Sequence, residues 1–72
     1  MKTVQFPLQG EHVALCNLLK LAGIAHSGGQ GKVMVADGMV LVDGRREERK
    51  TAKIRAGQVV ECLGTRVEVV GE

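Results

Sequence analysis

Aromatic residues are almost missing from this chain of 72 residues: Phe6 stands alone, with no Trp and no Tyr. That scarcity argues against a platform that stacks unpaired bases on aromatic rings, the usual device for holding single-stranded nucleic acid. Phe6 itself, in an apolar context, is expected in the core. Cysteine is scarce as well. Cys16 and Cys62 are the only two, too few for a disulfide scaffold, and each sits in an apolar run, so they read as small core residues of a protein from the reducing cytoplasm. No run approaches the ~20 apolar residues needed to span a bilayer, and residues 1–7 lack the apolar stretch of a signal peptide. The expectation is a soluble, cytoplasmic protein with no membrane partner.

The chemistry of an enzyme is also thinly represented. Asp37, Asp43, Glu47 and Glu48 are explained by their places at a helix end, a turn and a loop, so no acid/base pair emerges. No glycine-rich phosphate loop followed by Lys-Ser or Lys-Thr occurs. His12 and Cys16 are spaced i, i+4 on the first expected helix, with His26 and Cys62 elsewhere, but no CxxC or HxxxH frame supports a metal site. The reading is non-catalytic, with no metal and no cofactor.

What the chain does have is a localised charge. Residues 45–55 hold Arg45, Arg46, Arg49, Lys50, Lys53 and Arg55 against only Glu47 and Glu48, a net of +4 in a protein whose total is +2. The remainder is therefore slightly acidic. A confined basic stripe on a near-neutral body favours a polyanionic partner over general stickiness. The bland reading of the same stripe is a solvated loop that aids solubility.

Length limits the frame around that stripe. Seventy-two residues make one domain, residues 1–72, whose thin core leaves a net stability on the order of 3–5 kcal/mol and no surplus for a deep cleft. Without a heptad seam the default is a monomer. Residues 3–6 form a short strand stopped by Pro7. Over residues 11–22, Leu15, Leu18, Leu19 and Ala22 recur at helical spacing and Gly23 ends the helix. Ser27 with Gln30 three positions on is a capping box for a second helix reaching about Asp37, with Gly38 as its stop.

That second helix begins poorly, because Gly28, Gly29 and Gly31 each cost roughly 1 kcal/mol against alanine in a helix interior. Packing of Val33, Met34 and Ala36 has to hold it, or the glycines admit another backbone. Beyond it, Val40, Leu41 and Val42 form a strand, and Asp43-Gly44 is the dipeptide of a type I′ hairpin turn. Residues 45–51 contain no apolar side chain and must be exposed. Over residues 52–56, Ala52, Ile54 and Ala56 alternate with Lys53 and Arg55, a strand with its cations outward. After a turn at Gly57-Gln58, residues 59–63 and 66–70 close as a hairpin through Gly64-Thr65.

Taken in order, Ser27, Gln30, Lys32, Gly38, Val40, Val42, Asp43 and Gly44, preceded by residues 15–23 and followed by 54–60, resemble the RNA-binding domain of the ribosomal protein S-four type, also called the alpha-L motif. The length is similar to that of its small stand-alone bacterial members. The resemblance implies an α+β fold with two N-terminal helices packed on a small, mostly antiparallel sheet. It also implies a non-catalytic role in binding structured RNA, ribosomal or transfer, in ribosome assembly or translation. The family commonly carries an arginine at the place of Gly28, an alanine at that of Gly31 and a basic residue at that of Ala36, so only Lys32 keeps a cation on the helix. The expected RNA contacts are therefore Lys32, Arg45, Arg46, Arg49, Lys50, Lys53 and Arg55, reading phosphate and shape by charge. Two minor contributors are His26 and the backbone N–H groups of residues 28–31. The rival expectation is a module that docks an acidic protein.

Overall fold

Alternation of apolar and polar residues along residues 59–70 builds the centre of the sheet. In the computed structural model, which describes residues 2–71, β6 (Val59–Cys62) buries Val60 and Cys62 while β7 (Thr65–Val70) buries Val67 and Val69. The two pair antiparallel with Cys62 opposite Thr65. Their turn falls on Leu63-Gly64, both left-handed at φ 50° and 77°, one residue earlier than the Gly64-Thr65 link expected. Thr65, a β-branched residue, is taken into the strand instead.

β3 (Val40–Val42) lies antiparallel on the other side of β6, and β4 (Arg45–Arg46) turns back on it with Val42 opposite Arg45. Asp43 and Gly44, at φ 53° and 81°, make the type I′ turn expected of them. On the far side, β1 (Lys2–Pro7) runs parallel to β7, giving the order β1-β7-β6-β3-β4 with one parallel pair. Pro7 ends β1, where its missing N–H costs the ladder nothing.

The first helix is shorter than its periodicity suggests. α1 spans Leu15–Leu21 and is preceded by a two-residue strand, β2 (Val13–Ala14), paired antiparallel with β5 (Lys53–Ile54). The ladder with β5 claims the backbone of Val13 and Ala14, so the expected start at residue 11 is wrong. His12 consequently lies outside the helix, and its supposed i, i+4 relation to Cys16 does not arise. Leu15, Leu18 and Leu19 are fully buried on the expected stripe, with Ala22 packed beside them.

α2 (Gly28–Ala36) begins at Ser27, whose Oγ accepts a hydrogen bond from Gln30 N at 3.1 Å. The Gln30 side-chain oxygen accepts in return from His26 N. The buried face of α2 is Gly31, Met34 and Val35, whereas Val33 is 57% exposed and Ala36 is exposed too. Val33 was expected inward. The face is chosen by the crossing with α1, which only a residue without a side chain can occupy at position 31.

Leu15, Leu18, Leu19, Val35, Val40, Val60, Val67 and Ile54 form the centre of one core between the helices and the sheet, with Phe6 packed partly buried against it. The architecture is the expected α+β arrangement, two helices on a mostly antiparallel sheet, with β1 and β2 ahead of them. The terminal residues of the expected 1–72 span, Met1 and Glu72, lie outside the described residues.

Candidate nucleic-acid interface

The basic run leaves the sheet at β4 and is tied down at three points. Glu47 N donates to Val40 O at 3.1 Å, the last bond of the β3 side. The Glu47 carboxylate then accepts from Glu48 N, Arg49 N, Arg49 Nε and Arg49 Nη2 at 3.0–3.2 Å, a fork that closes the turn. Downstream, Ala52 N donates to Arg49 O at 3.2 Å, and the carbonyls of Lys50 and Ala52 accept from Cys16 N and Leu15 N at 3.1 and 2.9 Å.

Those last two bonds have a local cause. α1 has no side-chain cap at Ala14, and its first N–H groups need acceptors from elsewhere. The loop supplies them. Its backbone is thereby fixed while its cationic side chains stay exposed at Arg45, Arg46, Arg49, Lys50, Lys53 and Arg55.

Two of those cations are committed locally. Arg49 pairs with Glu47 at 3.2 Å and Arg46 with Glu48 at 3.5 Å. The Arg46 stem also crosses Gly38, where a Cβ would meet Arg46 Cδ at 3.0 Å and Nη1 at 3.3 Å, which brings its guanidinium to the residue that follows the C-cap Asp37 of α2. Arg45, Lys50, Lys53 and Arg55 make no ion pair among the described residues. The local pairing has an electrostatic consequence: hydrogen bonds from the Arg49 side chain and backbone hold the Glu47 carboxyl below the ordinary glutamate range, and the hydrogen bond to Glu47 pushes the Arg49 guanidinium up.

Arg55 does not continue the strand as its alternation suggested. β5 stops at Ile54, Arg55 N donates to Gln58 Oε1 at 2.7 Å, Gly57 takes φ 93°, and Ala56 is exposed instead of inward. Gln58 Nε2 in turn reaches Asp43 Oδ2 at 3.4 Å, while Asp43 Oδ1 accepts from Val59 N at 2.9 Å. This bridge joins the turn carrying Arg55 to the hairpin carrying Arg45. Val42, Asp43, Arg45, Arg46, Glu47 and Gln58 line one shallow depression there, and Arg49, Thr51, Ala52 and Lys53 line another.

The structure thus holds the six cations of the basic run on one fastened segment, while Lys32 is exposed on α2. Two supports were missed by sequence reasoning. Glu47 could have been suspected from a carboxylate two residues ahead of an arginine; Gln58 left no such signal, because its partner Asp43 is distant in the chain. Cys62 is buried and its thiol is pushed up by burial. Among the described residues no group of three or more His, Cys, Asp or Glu side chains could hold a metal, and no helix is long and apolar enough to cross a membrane. The surface offers exposed charge on a fixed backbone, which is suited to a polyanion.

Two short helices crossing at a glycine, followed by a hairpin and a basic loop that caps the first helix, place the chain in the alpha-L class of small α+β domains. Residues 6–70 match the S4 domain family, and the chain belongs to that family. It is 54% identical over 59 residues to "Putative RNA-binding protein YbcJ" of Escherichia coli (strain K12), covering 82% of this chain and 84% of that protein. Identity and coverage are the same for "Uncharacterized protein YbcJ" of Shigella flexneri. The solution structure of E. coli YbcJ, described as revealing an alpha-L motif involved in RNA binding, is similar with a TM-score of 0.68 and 48% identity. That match covers 97% of this chain and 87% of that one.

Proposed function

We propose that this chain is a non-catalytic RNA-binding protein, its 72 residues acting as one domain that grips the backbone of folded RNA through residues 45–55. The observation that carries this reading is the loop itself: four cations that make no ion pair among the described residues, displayed on a backbone bonded to β3 at one end and α1 at the other. Such a loop presents charge to phosphate without first having to be ordered. The similarity to E. coli YbcJ, whose structure is described in terms of RNA binding, supports the same partner.

Arg45, Lys50, Lys53 and Arg55 contact phosphates directly in this reading, Arg46 and Arg49 contribute while still bonded to Glu48 and Glu47, and Lys32 extends the surface onto α2. Binding releases counterions and needs neither metal nor cofactor. With one aromatic residue, shape and backbone are read in place of stacked bases. The protein acts as a cytoplasmic monomer on ribosomal or transfer RNA, in ribosome assembly or translation.

The test is a triple charge reversal of unpaired cations, Lys50→Glu, Lys53→Glu and Arg55→Glu, assayed against structured RNA by gel shift alongside thermal melting. The expected result is lost binding with a melting temperature within a few degrees of the parent, since all three side chains are exposed. Undiminished binding in a folded variant would remove the loop from the interface. Selective retention of one acidic protein after nuclease treatment, with no RNA affinity, would establish the protein-docking reading instead.

A further inference from the structure

We infer that Glu47 is the positioning residue of this interface, so that its negative charge increases RNA affinity. It rests on RNA binding by the 45–55 loop and reaches beyond it, because simple electrostatics assigns a carboxylate inside a phosphate-binding loop the opposite effect.

Glu47 and Glu48 are adjacent, carry the same charge and differ in what they hold. The Glu47 side chain is only 18% exposed and accepts four hydrogen bonds, two from the backbone of the turn and two from the Arg49 guanidinium. The Glu48 side chain is 77% exposed and makes one ion pair, with Arg46. Glu47 also stands where the ladder to β3 ends, and the next attachments are the Lys50 and Ala52 carbonyls on α1. Between those anchors the Glu47 fork, with four hydrogen bonds, is the main constraint on residues 48–49, beside the single bond from Ala52 N to Arg49 O and the exposed Glu48–Arg46 pair. Without it, the segment that delivers Lys50 and Lys53 to a phosphate must be ordered at the moment of binding, at an entropic cost set against affinity. Arg49 is accordingly a part of the loop's frame first and a phosphate ligand second.

The experiment compares two variants of identical charge change, Glu47→Gln and Glu48→Gln, in the full chain, using a structured RNA that the parent protein binds. Glu48→Gln removes a repulsive charge and is expected to tighten binding about twofold, the scale of an exposed charge pair. Glu47→Gln is expected to weaken it about tenfold despite the same gain in positive charge, the scale of losing charge-assisted hydrogen bonds. Hydrogen exchange gives a second readout that charge alone does not move. The Leu15 and Cys16 amides, which donate to the loop, should exchange faster in Glu47→Gln and at the parental rate in Glu48→Gln. Equal tightening in the two variants with unchanged exchange overturns the role of Glu47 and leaves RNA binding standing. Absence of RNA binding in the parent protein overturns the RNA-binding reading and this inference together.

Discussion

Gly31 of α2 lies directly against the backbone of Cys16 in α1: a Cβ at position 31 would sit 2.6 Å from the Cys16 carbonyl oxygen and 3.1 Å from its Cα. No side chain fits in that space without moving a helix. The glycine that weakens α2 as a helix is therefore the residue that lets the two helices close on each other, and the loop that caps α1 depends on where α1 lies.

Gly31→Ala should destabilise the fold by about 2 kcal/mol, the usual cost of forcing extra atoms into a filled contact. In a domain of this size that lowers the melting temperature by roughly 10 °C. Gly28, in the same helical turn, has nothing within 4 Å of its Cβ position. Gly28→Ala should be neutral or stabilising by about 0.5 kcal/mol. Thermal melting of the two variants separates a packing glycine from a merely flexible one.

Two turns invite opposite outcomes. Leu63 is 66% exposed and left-handed at φ 50°, a conformation that costs a branched L-residue about 1 kcal/mol, so Leu63→Asn should raise the melting temperature by several degrees. Asp43 shares that backbone region but uses its carboxylate to accept from Val59 N. Asp43→Ala should cost about 1–2 kcal/mol and loosen the Gln58 bridge toward Arg55, read as faster exchange of the Val59 amide.

Glu47 gives a pH dependence with a definite sign. Its carboxyl is held below the ordinary glutamate range in the folded protein because Arg49 hydrogen-bonds the charged form. A group whose folded pKa is depressed stabilises the fold above its unfolded value, and that contribution is lost as pH falls through the folded value. Stability from this contact is thus constant near neutrality and declines only below the ordinary glutamate range. Carbon-detected titration of the Glu47 carboxyl should place its midpoint in the parent below its midpoint in Arg49→Gln.

Much of the frame could be read from residue types at fixed offsets. Ser27 with Gln30, Asp43 with Gly44, and Leu15, Leu18 and Leu19 each specify local geometry through their own side chains, and each is found at its expected place, with the Gln30 side chain reaching His26 N in place of the Ser27 N of a capping box. The misses have long-range causes. Val13 and Ala14 are strand because Ile54 and Lys53 lie beside them, and no helical spacing reveals a partner that far along the chain. Val33 faces outward because Gly31 fixes the crossing. In the site, the positions of the cations were legible in the charge count, whereas their division into paired and unpaired side chains depends on Glu47 and Glu48 as the fold arranges them.

The most direct test of the account is the salt dependence of binding to a structured RNA. If Arg45, Lys50, Lys53 and Arg55 each neutralise about one phosphate, log Kobs against log salt should fall with a slope of roughly −3 to −4, made shallower by about one in Lys53→Ala. A slope near zero with affinity retained, unaltered by Lys53→Ala, would contradict a phosphate-binding loop.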